Sequence, residues 1–151
     1  MRPFTDSRQR KWEIAINVAT IKRVRALTGK DLLAIADGDL LQTLVGDPVL
    51  LADILWVLVQ PQAQAQGVSD EDFGSALAGD AIEAATAAFL EELVDFFPQS
   101  RRQLLQRALK ALRDLEAVIL READQKLEEA IQTLGGSSGS SPALSASIPA
   151  G

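Results

Sequence analysis

The chain of 151 residues contains no cysteine, no histidine and no tyrosine. Without cysteine there is no thiol nucleophile and no disulfide framework of the kind that staples small secreted folds. Without histidine there is no imidazole base and no Ser-His-Asp triad, and without either residue there is no Cys/His zinc site. Carboxylates, lysines and hydroxyls are what remain for chemistry. Long apolar runs are also missing. The most apolar stretch, PVLLADILWVLV from Pro48 to Val59, falls well short of the ~20 residues that span a bilayer and is interrupted by Asp53. The N-terminal MRPFTDSRQRKWE has charge but no apolar signal-peptide core. These absences lead us to expect a soluble, cytoplasmic protein without a membrane contact.

What is present is unevenly distributed. Residues 1–30 hold eight basic residues against Asp6 and Glu13, a net of +6. Residues 31–97 hold thirteen acidic residues and no Lys or Arg. Residues 98–134 hold seven basic and six acidic ones, and the whole chain carries −6. Such asymmetry bears on partners more than on fold. The acidic middle would repel phosphates, so nucleic acid is not expected there.

The length suits one domain with a real core. Lys11–Asn17 alternates Trp12, Ile14 and Ile16 with Lys11, Glu13 and Ala15, the period of a half-buried strand. RPFTD is a candidate partner strand and DSRQ the turn between them. Asn17 is placed to cap a helix whose apolar stripe is Val18, Ile21, Val24 and Ala26–Leu27, stopped by Gly29. Residues 31–37 read as either a short helix or an extended segment, broken by Gly38. DLLQTLVG is a short helix ending at Gly46. Asp47 as N-cap and Pro48 at the first position start a helix apolar nearly all round, the expected central helix, with Pro61 ending or kinking it and the Gln/Ala run beyond as a loop or a frayed extension.

The stretch GVSDEDFGSALAGDAIEAA concentrates carboxylates and invites a metal reading. Ser69 and Asp72 have capping-box spacing, and Asp70, Glu71 and Asp72 lie in a first turn, where the helix dipole favours negative charge. The alternating ligands and closing Glu of a calcium loop are absent. We therefore expect two helix starts, with Gly79 stopping the first and Asp80 capping the second. Asp80 to Phe97 is strongly amphipathic, with Ile82, Ala85, Phe89, Leu93 and Phe96 on the apolar face and Glu83, Glu91, Glu92 and Asp95 on the polar one. A final helix from about Gln99 to Leu134 would be about 50 Å long, more than a domain of this size spans. Its distal half is expected to project or to pack on another chain. The candidate partner-binding residues are therefore Ile119, Leu127, Ile131 and Leu134. Gly135–Gly151 reads as a flexible Gly/Ser-rich tail after a domain of residues 1–134.

The fold class expected is mainly α: a small N-terminal β-hairpin followed by a multi-helix bundle with a long C-terminal helix. No catalytic, cofactor-binding or metal-binding set is expected, and Glu91, Glu92 and Asp95 read as a solvated helix face. The basic run from Arg101 to Lys110 is expected to answer the acidic helix before it across a helical hairpin.

Several phrases, chiefly DPVLLADILWVLV and SDEDFGSALAGDAIEAA, give residues 1–134 a resemblance to tail assembly chaperone-like proteins of long-tailed phages and prophages. That resemblance implies a non-enzymatic, mostly helical protein that binds helical segments of a tape-measure protein and keeps it soluble during tail assembly. The partners expected are a tape-measure-like protein or another tail component, and a second copy of the chain. The alternative is a phage structural or connector protein, or a nucleic-acid-binding protein, using Lys22, Arg23, Arg25 and Lys30 in the basic N-terminal third.

Overall fold

A computed structural model describes the backbone of residues 1–37 and 39–147 and the side chains of 1–36 and 39–135. The order is β1 (Arg2–Thr5), β2 (Lys11–Ile14), α1 (Val18–Thr28), a 3₁₀ helix (Leu32–Asp37), α2 (Asp39–Gly46), α3 (Pro48–Gln66), α4 (Asp70–Ser75), α5 (Asp80–Phe96) and α6 (Gln99–Ser147). The protein is thus mainly helical, with a two-stranded antiparallel hairpin and a long C-terminal helix. The chain divides into two compact units, Met1–Ala108 and Leu109–Gly151. Residues 31–37, left open by sequence, are mostly this 3₁₀ helix, while Gly38 lies outside the described residues. So does much of the expected Gly/Ser tail: the side chains of 136–147 and all of 148–151.

The hairpin pairs Phe4 with Trp12 and Arg2 with Ile14. Phe4, Trp12 and Ile14 are buried, as period-two alternation requires of one face of a sheet. Asp6 builds the turn. Its carboxylate accepts hydrogen bonds from the backbone N–H of Arg8 and Arg10, from Arg10 Nε and from Trp12 Nε1, all at 2.8–2.9 Å. It is the one buried charged side chain among the described residues, and these four donors replace the water it loses. The Trp12 ring in turn meets Phe73 edge-on at 5.2 Å and has the Arg10 guanidinium 5.8 Å away. A pair of strands is marginal alone; here the apolar face is covered by α3 and α5.

α3 is the central helix, touching β2, α1, α2, α4 and α5. Leu51, Ile54, Leu55, Val57, Leu58 and Val59 are all buried, each such burial being worth roughly 1.5–3 kcal/mol. Asp47 caps it by accepting from Val49 and Leu50 N–H, with Pro48 in the first turn. Asn17 caps α1 in a reciprocal box with Thr20, and Ser69 caps α4 through the Asp72 N–H. Across α5, Ala85, Phe89 and Leu93 are buried as expected, and Ala81 and Ala88 with them.

Four details differ from the sequence reading. α3 does not end at Pro61 but continues to Gln66, with Gly67 as its left-handed cap at φ 67°. Proline forfeits one helical N–H bond there. The turn beyond it is nevertheless held, because Ala63 is buried and Gln62 grips β2. The Gln62 amide accepts from Glu13 N–H at 2.9 Å and donates to Glu13 C=O at 2.7 Å, pairing the open edge of the strand as a further strand would. α4 stops at Ser75, before Gly79. Gly79, not Asp80, is the N-cap of α5, at φ 58° and ψ −129° with no side-chain cap bond. On α1 only Ile21 and Val24 are buried, whereas Val18 and Leu27 are exposed.

Among the described residues no single helix is long and apolar enough to cross a membrane. α2 and α3 together would suffice by length and composition, but they are bent by 99°, and the apolar side chains of α3 are those of the core.

Candidate functional site

The acidic groups were the first candidates, and several of them are tied up within the first unit. Arg2, on β1, donates a hydrogen bond to Asp95 and lies 3.3 Å from Glu91 and 3.7 Å from Glu92. The bond to Asp95 raises the Arg2 pKa further above its ordinary value. These three carboxylates are therefore an anchor for the hairpin on α5 rather than only a solvated face. Asp72 is 3.8 Å from Arg8. Burial pushes the Asp6 carboxyl up, but the hydrogen bonds from Trp12, Arg10 and Arg8 together outweigh it and hold its pKa below the ordinary value. Among the described residues no three acidic side chains converge as metal ligands would.

The basic groups are also partly spoken for. Arg2, Arg8, Arg10 and Arg25 are in ion pairs, Arg25 with Asp31 at 2.9 Å. That hydrogen bond lowers the Asp31 pKa. Lys22 and Lys30 are exposed and Arg23 is half-buried. Only part of the basic N-terminal third therefore faces solvent without a counter-charge in the first unit. At the α5–α6 corner, Arg102 donates to the Phe97 and Asp95 carbonyl oxygens at 3.1–3.3 Å. It answers the C-terminal end of α5 through backbone oxygens, not through the acidic side chains expected from sequence, which belong to Arg2.

The remaining candidate is α6. Leu105 is buried, but every residue from Arg113 to Gly135 is exposed. The four residues singled out from sequence, Ile119, Leu127, Ile131 and Leu134, are 53%, 59%, 56% and 66% exposed. Leu115 and Leu120 join them, and sequence reasoning had not placed these two in the site. An eleven-residue repeat is the signal that finds Leu120, whereas Leu115 shares its column with Leu104 and Lys126. Leu112, Ala123 and Leu134 are eleven apart; so are Ala108, Ile119 and Ala130, and so are Leu109, Leu120 and Ile131. Eleven residues make three turns at about 3.67 residues per turn, close to the helix's own period, so the columns run nearly parallel to its axis. Gln125, Glu128, Glu129 and Gln132 occupy the opposite side. The result is a mainly apolar face on a helix, broken at Glu116 and Lys126, the kind of surface that in soluble proteins marks a protein–protein contact.

Comparison with protein-family models, with curated proteins and with solved structures finds no match for the chain. The reading of the site rests on its own geometry.

Proposed function

We propose that this protein is a non-enzymatic assembly factor, holding a helical segment of another protein along the apolar face of α6 as a phage tail assembly chaperone holds a tape-measure protein. One observation carries the reading: from Leu112 to Leu134 the face is mainly apolar, broken at Glu116 and Lys126, and exposed beyond the half-exposed Leu112, over about 34 Å at ~1.5 Å per residue. An amphipathic helix with anchors at i, i+3, i+4 and i+7 fits such a surface. From Asp114 to Leu134 α6 carries six acidic and two basic residues, so Lys and Arg beside the partner's stripe meet opposite charge. A tape-measure protein is a long helix of this kind and aggregates when its stripe is bare, which makes it the client to test first and the bacterial cytoplasm the place of action.

The test is co-expression with a tape-measure protein, scored as that protein's soluble fraction. The full chain is expected to raise it, and the double substitution Leu127→Asp with Ile131→Asp to abolish the gain while the helical signal of residues 1–108 persists. An unchanged soluble fraction with the unmodified chain removes the proposal.

A further inference from the structure

We infer that, before any client arrives, the α6 face is closed by a second copy of the chain, the two helices running antiparallel about Ala123. This rests on the reading of that face as a binding surface and adds what occupies it first. The stripe is self-complementary when its direction is reversed. Reversed about Ala123, Leu112 meets Leu134, Leu115 meets Ile131, Ile119 meets Leu127, and Ala123 meets its own copy. Each of these residues is exposed or half-exposed in the single chain. The smallest side chain of the row falls at the symmetry axis, where two helices come nearest. This is the isologous contact of a two-fold dimer.

The charges select the same direction. Glu116 and Lys126 interrupt the apolar columns. In a parallel pair each would face its own copy, like charge on like. In the antiparallel pair Glu116 falls opposite Ala130 and Lys126 opposite Leu120. Lys126 then also comes within two residues of the position opposite Glu122. Opposite charges flanking the seam set orientation in paired helices. The eleven-residue period further specifies a nearly straight or slightly right-handed pair rather than the left-handed supercoil of heptads. A client helix would displace one copy, so the dimer is the stored form of the binding surface.

The absence of native cysteine makes the test direct. Ala123→Cys, Leu112→Cys and Leu134→Cys are made singly in the full chain, with circular dichroism to show that each remains helical, and are oxidised mildly. Ala123→Cys is expected to cross-link to twice the chain mass. Leu112→Cys and Leu134→Cys should not do so alone but should cross-link to each other when mixed. Sedimentation of the unmodified chain should give twice the mass of one chain, and Leu127→Asp with Ile131→Asp should halve it. Self-cross-linking of Leu112→Cys or Leu134→Cys as readily as Ala123→Cys overturns the antiparallel pair, and a single-chain mass for the unmodified protein overturns the dimer. Either failure leaves client capture to the co-expression result. Loss of capture with the cross-links intact leaves the dimer standing.

Discussion

Asp6 shows how much of the first unit hangs on one carboxylate. It joins the hairpin turn, the Arg10 side chain and the indole of Trp12, and Trp12 is packed on Phe73 of α4. Hydrogen bonds to a charged group are worth about 1.5–3 kcal/mol, so Asp6→Asn, which turns a donor toward donors, is expected to destabilise the fold by about that amount in urea unfolding at neutral pH. The pH dependence has a definite sign. The folded carboxyl lies below its ordinary value of 3.8, so its contribution is complete above that value and is lost as the pH falls through the folded one. The unmodified protein should therefore lose stability on acidification below the ordinary carboxylate range, and Asp6→Asn should lose less over the same interval. The role of Asp6 was not legible in the sequence. There it reads as the first residue of a turn, and nothing local says that an indole six residues on will be buried against it.

At the scale of elements, the starts of α1, α3 and α4 and the ends of α1 at Gly29 and α2 at Gly46 were legible, and the end of α3 and the start of α5 were not. Asn17, Asp47 and Ser69 cap through bonds to their own next turn, so the residues that decide the start lie together in sequence. The end of α3 depends instead on Gln62 gripping Glu13 from 49 positions away. Local rules see only Pro61 and leave open whether the helix ends or kinks there. Gly79 was read as a stop, and it is the hinge into α5. Its φ of 58° with ψ of −129° lies where side-chain-bearing residues are strained, and a Cβ added there would meet nothing within 4 Å. Gly79→Ala is therefore expected to cost about 1–3 kcal/mol from backbone strain alone, read as a lower urea midpoint with an unchanged slope. A drop no larger than that of a surface alanine substitution would show that the α4–α5 link relaxes to another conformation.

For the whole molecule, the charge partition was plain in the sequence but its purpose was not. The basic N-terminal third and the acidic middle answer each other through Arg2 with Glu91, Glu92 and Asp95, and through Arg8 with Asp72. Of the residues offered to phosphate, Arg25 is held by Asp31, and Lys22, Arg23 and Lys30 alone, on a chain of net charge −6, are a weak phosphate site. DNA is accordingly expected to show no retardation at physiological salt. Salt-sensitive binding lost on changing Lys22, Arg23 and Arg25 to Ala would promote the nucleic-acid reading. The apolar stripe of α6 was legible too, because a helical period persists over many turns whether or not a partner is present. Which residues of the stripe stay uncovered was legible only in part, since Leu105 and Leu127 look alike in sequence and differ in burial.

The central claim is that the exposed face of α6 is an interface, and amide hydrogen exchange along the full chain tests it most directly. An uncovered, fully exposed helix opens readily and exchanges fast, whereas a helix packed on another is protected. In the chain purified after co-expression with a tape-measure protein, amides of residues 112–134 are predicted to exchange slowly. Leu127→Asp with Ile131→Asp should make them fast while leaving residues 1–108 as they were. Equally fast exchange of residues 112–134 in both proteins would mean that nothing covers the face, and would contradict the account.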